Sequence, residues 1–115
     1  MELTNNEFYN LSKFKELSRG DNKFYQTLLE KFIASTSEAL MEIIISQKEK
    51  DIVRLKALVH KIKPSVEMLC ISKMPELIRS IQDENSNPDA AFKSSEELIV
   101  IGNKLLKELG NPITI

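Results

Sequence analysis

From Leu55 to Leu69 the apolar residues Leu55, Leu58, Val59, Ile62, Val66 and Leu69 recur at spacings of three and four, the pattern of one helix face. The same periodicity governs most of the chain. Leu3, Phe8, Leu11, Phe14 and Leu17 predict a leading helix between Leu3 and Ser18, kept short or broken by Asn5, Asn6 and Asn10. Arg19-Gly20-Asp21-Asn22 then supplies a stop and an aspartate N-cap, and Lys23 to about Gln47 carries Tyr25, Leu28, Leu29, Phe32, Ala39, Leu40, Ile43 and Ile44 on one broad face. A third helix begins near Asp51 after the charged turn Lys48-Glu49-Lys50. Ser72 is the expected N-cap of a fourth, with Pro75 in its first turn and Leu77, Ile78 and Ile81 inward. After the polar loop at 83–87, Asn87-Pro88 opens a last helix with Ala91, Phe92, Leu98, Ile101, Leu105, Leu106 and Leu109 inward, closed by Gly110.

The breakers Gly20, Pro64, Pro75, Pro88, Gly102, Gly110 and Pro112 punctuate these stretches. The β-branched runs at 43–45 and 99–101 lie inside longer helical periodicities, and no paired strand run accompanies them. The predicted fold is all-α, an antiparallel up-down four-helix bundle with a short N-terminal capping helix. Its 115 residues make one domain, with 1–20 as the short helix and approach and 21–110 as the bundle.

Composition narrows the partners. Sixteen basic and 17 acidic residues leave a formal net charge of −1, which gives no general attraction to nucleic acid or to an anionic membrane. The start Met1-Glu2-Leu3-Thr4-Asn5-Asn6 has neither the basic nor the apolar region of a leader, and no apolar run reaches membrane-spanning length. One cysteine, Cys70, excludes an internal disulfide, and with one histidine there is no zinc-type Cys/His cluster. The expectation is a cytoplasmic protein with no bound metal or cofactor. Met41, Met68, Met74 and Cys70 read as packing or helix-end residues.

The single histidine, His60, lies about 150° from the middle of the apolar sector of its own helix, so it is expected to face solvent. A neutral imidazole is a good nucleophile and needs no neighbouring base. Lys63, one turn on, can offset the charge of a phosphoryl group on that ring, and Lys56 and Lys61 add a local basic field to a nearly neutral chain. Pro64 has no N–H to offer the carbonyl of His60, so the helix is expected to bend or loosen there. A lone surface histidine is usually just solvated. A proline inside an amphipathic helix is less ordinary, since it costs about 3 kcal/mol in a regular helix interior.

The string His60-Lys61-Ile62-Lys63-Pro64-Ser65, followed by Met68-Leu69-Cys70-Ile71, resembles the motif of histidine-containing phosphotransfer (HPt) domains, His-x-Leu/Ile-Lys-Gly-Ser and then Leu-Gly. The segment from Leu11-Ser12-Lys13-Phe14 through Arg19-Gly20-Asp21 to Phe24, Leu28, Leu29 and Phe32 is similar to that family's approach to its first bundle helix, and Asp51 and Leu55 stand where members have them. Residues 11–82 carry the resemblance; the last helix matches in kind only. It implies that His60 is the phosphoacceptor, at Nε2, that Lys63 stabilises the phosphoryl group, and that Gln82 orients the imidazole from the neighbouring helix. Pro64 and Cys70 depart from the family, each standing where glycine is usual.

The implied activity is relay: a phosphoryl group passes from a receiver-domain aspartyl phosphate to His60 and on to another receiver. The expected docking face comprises Lys56, Ala57, Lys61, Pro64, Glu67 and Met68. Mg²⁺ is expected on the partner receiver, and no glycine-rich loop is present to cradle ATP. Expected partners are receiver domains and a hybrid histidine kinase, of which this chain could itself be a domain, and the expected state is a monomer. Two other readings remain open. The dimerisation and phosphoacceptor domain of a sensor histidine kinase has an acid directly after its histidine and a proline five residues on; here Lys61 follows and the proline is four on. The other is a helical interaction module whose histidine is incidental.

Overall fold

In a computed structural model the described residues are 9–71, 73–83, 85 and 87–110. They form five helices: α1 (Ser12–Ser18), α2 (Asn22–Lys48), α3 (Ile52–Glu67), α4 (Met74–Gln82) and α5 (Pro88–Glu108). No strand occurs among the described residues; both β-branched runs are helical. None of these helices is long and apolar enough to cross a membrane.

Local chemistry sets the helix starts. The Asp21 carboxylate accepts from the Phe24 N–H at 3.1 Å, Asp51 from the Arg54 N–H at 3.1 Å, and the Asn87 amide oxygen from the Ala90 N–H at 2.8 Å. Each satisfies a donor that the first helical turn leaves without a partner, worth roughly 1 kcal/mol. Helix α4 begins after Lys73, which supplies no side-chain cap, with Pro75 in the first turn as anticipated. The expected cap Ser72 lies outside the described residues, as do Leu3, Phe8 and Pro112.

The helices pack in a helical bundle: α2 touches α1, α3 and α5, α3 also touches α4, and α4 also touches α5. Leu40, Ile43, Leu55, Val59, Ile81, Leu98, Leu105 and Leu106 are enclosed at its centre. Burying one such side chain stabilises by about 1.5–3 kcal/mol, enough in sum to overcome the modest helix propensity of the β-branched residues. The α2–α5 seam also holds polar groups in register. Gln47 Nε2 donates to Ser95 Oγ at 2.7 Å, and the Ser95 hydroxyl donates to the Phe92 carbonyl at 2.7 Å.

Two features depart from expectation. Gly102 does not break a helix: it is buried within α5, and a Cβ built there would stand 2.8 Å from Leu40 Cδ1, so the glycine marks close approach of α5 to α2. Leu17 leaves the apolar face of α1 and is 54% exposed, while Leu11 and Phe14 are buried, Phe14 edge-on to Phe32 of α2 with ring centroids 5.4 Å apart. Helix α3 runs through Pro64 to Glu67 and ends in a turn where Cys70 takes a left-handed conformation, φ 54°, its N–H donating to the Glu67 carbonyl. The Asn10 N–H donates to the Leu69 carbonyl at 2.9 Å, tying the segment before α1 to that turn.

Candidate functional site

Helix α3 buries Leu55, Leu58, Val59, Ile62 and Val66 and turns His60 outward, so the periodicity that builds the core also exposes the imidazole. Taking about 100° per residue, Val53 and Glu67 fall within about 20° of His60, two turns before and after it. On one flank lie Lys56 and Lys63; on the other lie Ala57, Pro64 and Met68. Lys61, Lys63, Ala57, Pro64 and Glu67 are exposed, whereas Lys56 and Met68 are half-buried.

The two flanks meet different neighbours. On the lysine flank, Lys63 and Glu67 line an open groove with Ile78, Arg79, Gln82 and Asp83 of α4 and its cap. The groove therefore brings Lys63 and Gln82 together, two of the residues anticipated around the imidazole. Among the described residues, no hydrogen bond or ion pair joins Gln82 to His60, so the amide does not hold the ring in this structure. On the other flank, Met68 reaches toward the N-terminal helices. It lines one depression with Leu17 and Lys13 of α1 and another with Phe14, Leu28 and Phe32. Glu67, in line with His60, thus borders the α4 groove, while Met68 borders the α1 and α2 depressions.

Two residues escaped the sequence reading. Val53 is 77% exposed and in line with His60. Its signal was the seven-residue spacing from the histidine, hidden because a valine at the start of an amphipathic helix looks like core. Arg79 shares the groove with Lys63 and Gln82. Nothing in its local sequence marks it, because its proximity to Lys63 depends on how α4 packs against α3.

The chemistry on offer is that of an accessible nucleophile beside cations. Pro64 leaves the His60 carbonyl without its usual helical donor, and it presents a compact ring rather than a long side chain one turn from the imidazole. Of the cations on α3, Arg54 is engaged with Glu42 at 3.3 Å and Glu49 at 3.8 Å. Among the described residues, Lys56, Lys61 and Lys63 form no ion pair, and neither does Arg79. The chain matches no protein-family model, no curated protein and no solved structure.

Proposed function

We propose that this chain is a histidine phosphotransfer protein or domain, in which His60 accepts a phosphoryl group from a receiver-domain aspartyl phosphate and relays it to a second receiver. In the first step a nitrogen lone pair of the neutral imidazole attacks phosphorus, the bond from phosphorus to the aspartyl oxygen breaks, and the carboxylate leaves with the electron pair. The second step is the same exchange in reverse on another aspartate. Such transfer asks chiefly for alignment and charge stabilisation. Lys63 offsets charge on the phosphoryl group, Gln82 can orient the ring once a partner closes over it, and the Mg²⁺ belongs to the receiver. On this reading the chain has no kinase site of its own and works as a cytoplasmic monomer, with α2–α5 as an antiparallel up-down bundle and α1 as its cap.

The observation that carries the reading is the solvent-facing His60 on an otherwise core-forming helix, with Lys63 and Gln82 in one groove on its flank. Ala57, Pro64 and exposed Val53 supply an apolar rim on which a partner can seat, and Lys56, Lys61, Glu67 and Met68 border it. A transient contact of this kind buries about 1,200 Å² or less.

The test is phosphotransfer from a panel of phosphorylated receiver domains of the same organism. The expected outcome is acid-labile label on the wild-type chain and none on His60→Gln. Folded protein that accepts label from no receiver would overturn the proposal.

A further inference from the structure

The groove on the Lys63 flank of His60 holds a second cation besides that lysine. Lys63 of α3 and Arg79 of α4 line it together, and among the described residues neither is neutralised by an ion pair. Gln82 stands one turn beyond Arg79 on the same helix, so α4 presents a guanidinium and an amide to the flank of α3 that carries Lys63 and Glu67, with His60 one turn before Lys63. From this arrangement we infer that Arg79 is a second cation of the phosphoryl site, contacting the phosphoryl oxygens on His60 from α4 while Lys63 contacts them from α3. The assignment rests on His60 being the phosphoacceptor and deepens that reading.

The physical reason is geometric. A phosphoryl group on His60 has three oxygens directed away from the ring, and a lysine on the same helix covers only one side of them. A guanidinium is planar, permanently charged and long enough to span a groove, and it binds phosphate oxygens through paired N–H donors. Two carboxylates share the groove and limit its net charge. Glu67 sits a full turn past Lys63, at the end of the groove farther from His60 along α3, while Asp83 caps α4 and accepts from the Asn85 N–H at 2.9 Å. Lys56 and Lys61 complete the titratable groups that α3 places around the histidine, and Glu76 is the remaining acid of α4.

The test uses the fact that the chain has one histidine. Phosphoramidate, a small-molecule donor, modifies exposed imidazoles without any receiver, so a single ³¹P resonance reports phospho-His60. Nearby cations favour the dianionic phosphoryl form, so the wild-type resonance titrates at a lower pH than one lacking a cation. Arg79→Gln is expected to raise that midpoint by about half a pH unit at low salt, with Arg79→Lys restoring most of it. Arg79 is exposed, so neither change disturbs the core. An Arg79→Gln midpoint equal to wild type, with Lys63→Gln still shifting it, would overturn the assignment and leave the phosphoacceptor reading intact. Failure of phosphoramidate to give any His60 resonance would sink the phosphoacceptor reading and this assignment together.

Discussion

Cys70 occupies a backbone position suited to glycine. Its φ of 54° closes the turn after α3, where the N–H groups of Leu69 and Cys70 reach back to the carbonyls of Val66 and Glu67. An L-residue there costs roughly 1–2 kcal/mol relative to right-handed backbone, and glycine avoids that cost while losing more freedom on folding. Cys70→Gly is therefore expected to stabilise the fold by about 0.5–1 kcal/mol, read as a higher urea midpoint with an unchanged slope. Lys50 makes a useful contrast. Its φ is 56°, but its ammonium lies 5.2 Å from the centroid of the Phe92 ring, so Lys50→Gly loses a contact as well as strain and gains less. Cysteine has no conformational signature of its own. Nothing in the sequence around Cys70 marks that strain, whereas the outward turn of His60 could be read directly from the six apolar residues around it.

At the level of helices, the readable features were those whose cause is local. Asp21, Asp51 and Asn87 were placed at helix starts because a capping side chain bonds within three residues of itself, and the structure has all three bonds. Gly102 was misread because its reason is tertiary: α5 approaches α2 closely enough for Leu40 to occupy the space of a Cβ. Arg79 was missed for the same kind of reason, since its relation to Lys63 exists only across the α3–α4 groove. The Gly102 contact makes a sharp test. In an open helix Gly→Ala would gain roughly 1 kcal/mol from propensity. Leu40 is 1% exposed, and both of its Cδ atoms stand within 3.0 Å of the added Cβ, so it must repack inside the core; overpacking is expected to outweigh that gain, with Gly102→Ala destabilising by about 1 kcal/mol. Adding Leu40→Val should recover more than it costs on its own. Chemical denaturation of the two single variants and the double variant measures that coupling, and strict additivity would show that the contact does not set the helix separation.

Over the whole molecule, charge is distributed unevenly in a way that the net value of −1 conceals. Helix α3 carries Arg54, Lys56, Lys61 and Lys63 against Glu67, and Arg54 is drawn away from the His60 surface by Glu42 and Glu49. The field around His60 is therefore set by Lys56, Lys61 and Lys63, with Arg79 across the groove. On the proposed reading the partner brings an acidic, Mg²⁺-binding aspartate cluster, and these cations steer it in. Steering acts on encounter and is screened over about 10 Å at 0.1 M salt, whereas transfer within the docked complex depends on groups in contact with the phosphoryl group. Replacing Lys56 and Lys61 together with glutamine should thus lower the second-order rate of phosphotransfer about three- to tenfold at low salt and flatten its salt dependence. The first-order rate at saturating receiver should change by less than about twofold. Single-turnover kinetics across receiver concentration and ionic strength separates the two rates. A loss confined to the first-order step would mean that these lysines act on the phosphoryl group itself, and that the basic face does not serve to attract the partner.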